Sequence, residues 1–171
     1  MVRRREYNID IFQLSLGSHA YEFEYDDTFF GLFEESLVEK GSGEINLNLL
    51  KSDSYIELNF EILGKVELIC DRSLDPFWFN FHINNKLLLK FGDNWEEISD
   101  EILMMPRDEQ VVNIAQYIYE FIGITIPMKK LHPRFEEEEN SKDEFIYYSS
   151  ESKEKEETPA DPRWKKLKDI K

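Results

Sequence analysis

The chain has one cysteine, Cys70, among 171 residues. An internal disulfide is therefore impossible, and nothing in cysteine usage marks a secreted protein. Histidine is nearly as scarce, with His19, His82 and His132 only. A tetrahedral metal site would have to lean on carboxylates. No apolar run approaches the roughly 18 residues of a membrane span. There is no Gly-x-Gly-x-x-Gly and no Walker A loop to cradle phosphate, and neither Gly-x-Ser-x-Gly nor His-Glu-x-x-His occurs. With 36 acids, close carboxylate pairs arise by chance, so no pair identifies a general acid and base. Positive charge is the other shortage: 21 Lys and Arg leave a net charge of −15.

The deficit is not confined to a tail. Residues 134–157 carry ten acids against four bases, and residues 158–171 two acids against five bases, which leaves −12 on residues 1–133. An anionic body argues against a broad nucleic-acid surface, which needs clustered Lys and Arg. It suits a cationic partner drawn in by long-range attraction. Met1-Val2-Arg3-Arg4-Arg5 has the charge of a signal-peptide n-region, but no apolar h-region follows, so the expectation is a cytoplasmic protein.

What is plentiful is alternation. Residues 7–16 read as a first strand ending at Gly17, and Tyr21-Glu22-Phe23-Glu24-Tyr25 alternates strictly. Thr28 to Val38 has apolar residues nearer helical spacing, after a possible Asp26 or Asp27 N-cap. Between residues 44 and 91 the pattern is an antiparallel meander with one solvated face. Gly64 marks a bulge or bend within it, and Asn84-Asn85 a turn. Residues 102–104 carry a further strand. Pro106-Arg107-Asp108-Glu109 then opens a helix whose apolar positions are Val111, Ile114, Ile118 and Phe121/Ile122, closed by Gly123 and Pro127. The fold class is α+β: a mostly antiparallel curved sheet or partial barrel of about six to eight strands, with one main helix over about residues 110–122 packed on it.

Three segments follow from composition. Residues 1–133 form the α+β domain, residues 134–160 a disordered acidic linker, and residues 161–171 a short basic amphipathic C-terminal element. In that last element Asp161-Pro162 starts a helix. Trp164, Leu167 and Ile170 share a face, and Arg163, Trp164, Lys165 and Lys166 interleave an aromatic with cations, as RNA stacking sites do. The same charges suit a tail folded back on the acidic domain.

Cys70-Asp71-Arg72-Ser73 interrupts the longest strand-like stretch. A second cysteine at position 73 would make half a zinc site; with Ser73 there, Cys70 reads as a buried thiol at a strand end. His132, before Pro133, is a candidate ligand or an exposed loop residue. His82 lies out of phase with the Phe face of its strand, and His19 sits in a turn.

The order of Leu68-Ile69-Cys70-Asp71-Arg72-Ser73-Leu74-Asp75-Pro76-Phe77, then Ile124-Thr125-Ile126-Pro127 with His132-Pro133, then a terminal Asp161-Pro162-Arg163-Trp164-Lys165-Lys166-Leu167, resembles the large ribosomal RNA subunit accumulation protein family, the YceD-like proteins of bacteria. The resemblance covers about residues 40–171. It implies a non-enzymatic role in ribosome biogenesis, supporting accumulation of large-subunit ribosomal RNA, with a ribosomal protein or a precursor RNA as partner and no small-molecule substrate. A general acidic protein-binding module unrelated to ribosomes is the alternative. The family pattern at the turn is Cys-x-Arg-Cys-Leu, and relatives often carry a further Cys just after the His matching His132. Here Ser73 and Arg134-Phe135-Glu136 stand at those places. Cys70 and His132 are then vestigial ligands, no metal or other cofactor is expected, and Arg72 is the exposed feature that remains.

Overall fold

The computed structural model describes residues 6–135. Eight strands run in chain order with two helices among them: β1 (Asn8–Asp10), β2 (Gly17–Tyr25), α1 (Asp27–Phe30), β3 (Gly41–Lys51), β4 (Tyr55–Ile69), β5 (Pro76–Gly92), β6 (Glu96–Ser99), β7 (Ile102–Pro106), β8 (Val111–Asn113) and α2 (Ala115–Thr125), followed by a 3-10 turn at Pro133–Phe135. Six strands form one open sheet in the order β2-β3-β4-β5-β7-β6, and β1 pairs with β8 in a separate two-stranded sheet. The architecture is α+β, and among the described residues the sheet does not close into a barrel.

The alternation of the sequence becomes the two faces of this sheet. Ile45, Leu47 and Leu49 of β3 and Ile56, Leu58, Phe60 and Ile62 of β4 are buried on one face, while their neighbours Asn46, Asn48, Asn59 and Glu61 turn to the other. The meander from β2 to β5 keeps an unbroken antiparallel register. The chain then leaves β5, runs outward as β6, and returns as β7 between β5 and β6. This makes β5–β7 the one parallel pairing of the sheet.

Several boundaries differ from the sequence expectation. The main helix starts at Ala115 rather than near residue 110, because Val111–Asn113 is a strand paired with β1. Ile9 faces Val112 in that pair, and both are buried. Their backbone groups find a ladder there that a longer helix would have denied β1. Asn113 Oδ1 accepts the Ala115 N–H at 3.1 Å at the helix start. The helix also passes through Gly123. Its end is set by Pro127, which forces Ile126 out of the helical region (φ −66°, ψ 123°). The expected helix over residues 28–38 is one turn only. Gly31 follows it and Glu35 is left-handed (φ 58°), so Phe33 and Leu37 reach α2 from irregular backbone instead. Phe33 stacks on Tyr119 at 4.1 Å, and the Leu37 N–H donates to the Tyr119 hydroxyl at 3.0 Å. The first strand is three residues long, not ten.

Asn84-Asn85 makes no turn. Both sit inside the 17-residue β5, opposite Glu61 and Phe60. Pairing along the full length of β4 outweighs a weak local turn preference. Gly64 makes no bulge either. Tyr25, Gly43, Gly64 and Phe81 lie in one row across β2 to β5. Tyr25 lies over both glycines, and a Cβ on Gly64 would fall 2.0 Å from its hydroxyl. The glycines leave room for an aromatic ring on the core face. Burial pushes the Tyr25 phenol up, with Tyr7 adding to the effect, and its buried hydroxyl has no hydrogen-bond partner.

Candidate functional site at the cysteine turn

The turn from Cys70 to Asp75 joins the two longest strands. The Cys70 N–H donates to the Asp75 carbonyl and the Leu74 N–H to the Cys70 carbonyl, each at 2.9 Å. This tight closure holds Leu74 at φ 60°, a conformation uncommon outside glycine, Asn and Asp. Leu74 is 76% exposed, and Ile69 and Trp78 are exposed beside the turn. Lys65 Nζ lies 5.0 Å from the Trp78 ring centre.

The segment after α2 is fastened to this turn from the side. The Asp71 N–H donates to the Lys130 carbonyl at 2.8 Å, and the Lys130 N–H donates back to Asp71 Oδ2 at 2.7 Å. The His132 N–H donates to Cys70 Sγ at 3.3 Å. The His132 ring packs against Phe77 at 5.7 Å, and its Nδ1 accepts the Arg134 N–H at 3.2 Å. Arg134 forms an ion pair with Asp75. The guanidinium carbons of Arg72 and Arg134 lie 4.5 and 4.7 Å from the centre of the Phe135 ring, a double cation–π arrangement.

Cys70 is fully buried. Burial alone raises its thiol, but the Ser73 hydroxyl and the backbone N–H groups of Ser73, His132 and Arg72 outweigh it and draw the thiol down to about 7. The Ser73 hydroxyl is itself enclosed and makes no hydrogen bond of good geometry. Its polar contact still favours the charged form of Cys70, and with Arg134 it holds the Asp75 carboxyl below its ordinary range.

Sequence reasoning marked Cys70, Arg72 and His132, and the fold brings all three to one place. What His132 turns toward the sulfur is a backbone N–H, not a ring nitrogen. The thiol therefore has no imidazole base from His132 against it. As a metal site the donor set falls short: among the described residues no three His, Cys, Asp or Glu side chains come together to hold an ion. Asp71, Asp75, Lys130, Arg134 and Phe135 were not singled out as site residues. Asp71 and Asp75 read as turn formers, and Arg134-Phe135 as the first residues of a linker. Arg163, Trp164, Lys165 and Lys166 lie outside the described residues. Arg72 and Arg134 thus meet over Phe135 at a turn that also carries Asp71 and Asp75, in a chain of net charge −15. No described helix is long and apolar enough to cross a membrane.

The profile of one protein family, described as large ribosomal RNA subunit accumulation protein YceD, matches residues 58–171. The match takes in most of β4, the cysteine turn, α2 and the segment clamped to the turn. No curated protein and no solved structure matches the chain.

Proposed function

The chain belongs to the large ribosomal RNA subunit accumulation protein YceD family, and from that premise we propose that it is a non-enzymatic, cytoplasmic ribosome-biogenesis factor. In this proposal it supports accumulation of large-subunit ribosomal RNA by binding a ribosomal protein or a precursor of that RNA. The family match carries the proposal. The cysteine turn supports it as the recognition point, because exposed Leu74 and Ile69 sit there with Arg72 and Arg134 on an anionic background. Arginines stacked on an aromatic ring are already oriented for phosphate or carboxylate, so little side-chain freedom is lost on binding. The same proposal assigns the turn no metal and keeps Cys70 as a structural acceptor of N–H groups.

The test is deletion of the gene followed by ribosome profiles and measurement of precursor RNA. We expect a fall in large subunits that the wild-type gene restores. A gene carrying Arg72→Glu with Arg134→Glu should restore it only in part, although its product accumulates. Unchanged large-subunit levels in the deletion strain would overturn the proposal. Stoichiometric zinc in protein purified without chelator, lost on Cys70→Ala, would overturn the metal-free assignment.

A further inference from the structure

The solvated face of the sheet and its β2 edge carry no described element. On this face the side chains of Ala20, Asn48, Asn59, Glu22, Asn46 and Glu61 border an open depression of about 850 Å³. Ala20, Asn46, Asn48 and Asn59 are short or amide-bearing, and Glu22 and Glu61 add negative charge. Along β2 itself, the Tyr7 hydroxyl donates to the Glu24 carbonyl at 2.9 Å, so this carbonyl points away from β3. In an antiparallel edge strand the residues of one parity all present their backbone groups outward. Ser18, Ala20 and Glu22 therefore offer N–H and C=O groups to the open side, and among the described residues nothing pairs with them.

The charge on this edge is one-sided. Glu24 stands directly opposite Glu44 across β2 and β3, and Glu22 follows on the same face. Directly opposed like charges destabilise a sheet. Elsewhere on the face Glu57 pairs with Lys86 and Glu67 with Lys40, each at 2.8 Å, and Glu61 is in hydrogen-bond contact with His82 at 3.1 Å. Glu22, Glu24 and Glu44 form no ion pair among the described residues. A second copy of the chain, adding its own β2, would bring more carboxylates to the same place. A phosphate backbone would be repelled.

We propose that the β2 edge and the adjoining amide-lined face accept an extended, lysine- or arginine-rich polypeptide segment as an added strand. Main-chain hydrogen bonds to Ser18–Glu22 would give the register, and Glu22, Glu24 and Glu44 the selection for positive charge. This deepens the protein-binding arm of the function proposed above and rests on it for the partner's place in the cell. The two fail separately: a missing peptide interaction leaves a ribosome defect standing, and a normal ribosome profile leaves the interaction standing.

The experiment is fluorescence anisotropy on the full chain with a labelled peptide of about ten residues alternating lysine and valine, a typical strand length or slightly more. Saturable binding that weakens as salt is raised is expected. Ala20→Pro removes an outward N–H without touching the β3 ladder and should weaken binding about tenfold, the scale of one or two main-chain hydrogen bonds. Glu24→Gln with Glu44→Gln should weaken it to a similar degree while keeping or raising the melting temperature, so the result does not hang on whether the proline variant folds. Absence of binding, or unchanged binding in both variants, would overturn the proposal. So would an oligouridylate that binds and competes for this edge.

Discussion

Cys70 shows how a residue can be recognisable and still mislead about its task. The sulfur is buried, which raises its thiol, but it sits in a nest of backbone N–H groups that, with the Ser73 hydroxyl, draw it down. With the folded thiol at about 7 and an ordinary value of 9.0, the thiolate is favoured in the folded state. Its contribution to stability is complete above the unfolded value, declines as pH falls through the folded one, and is gone below it. The melting temperature of wild type minus that of Cys70→Ala should therefore be larger at pH 9 than at pH 6. A difference that stays flat or shrinks toward pH 9 would show a neutral thiol. The residue type at 70 was legible in the sequence, as was its place at a strand end. Its N–H donors were not, because His132 reaches it from a segment 62 positions away in the chain.

At the level of strands and helices, glycine is where local reading and tertiary structure part. A glycine in a strand looks the same in sequence whether it marks a bulge or a close approach. Gly64 is the second kind, since Tyr25 occupies the space its side chain would need. Gly64→Ala should cost about 1–3 kcal/mol in urea unfolding, as overpacking does. Tyr25→Phe removes a buried hydroxyl that lacks a partner and should be neutral or slightly stabilising. The double variant should recover part of the Gly64→Ala loss, and strictly additive effects would rule out the contact as its cause. The helix boundary is hidden in the sequence for a related reason. Val111 and Val112 fit a helical spacing as well as a strand, and only the presence of β1 alongside decides for the strand.

For the molecule as a whole, the meander from β3 to β5 was legible because each strand pairs with its neighbour in sequence. The parallel β5–β7 contact and the β1–β8 pair were not, since no local pattern specifies a non-sequential partner. The described body also extends past His132-Pro133. Arg134 meets Asp75 and Phe135 meets Arg72, both at the turn. We therefore expect a chain ending at Glu136 to keep the melting temperature of the full protein, as a domain followed by a separate acidic segment would. A chain ending at Pro133 should melt several degrees lower from loss of these contacts. A large drop for the chain ending at Glu136 would show that later residues contribute to the core.

The β1–β8 pair has a consequence for synthesis. Asn8 to Asp10 are made near the beginning, and their partners Asn113 to Val111 only after the whole six-stranded sheet has been translated. Ile9 and Ile11, buried in the finished protein, must wait as exposed apolar side chains on the nascent chain. The sheet can assemble strand by strand as it emerges, whereas this clasp closes the longest loop in the described fold and can do so only last. β1 would thus leave the ribosome unmatched and stay so until about two thirds of the 171 residues had been made.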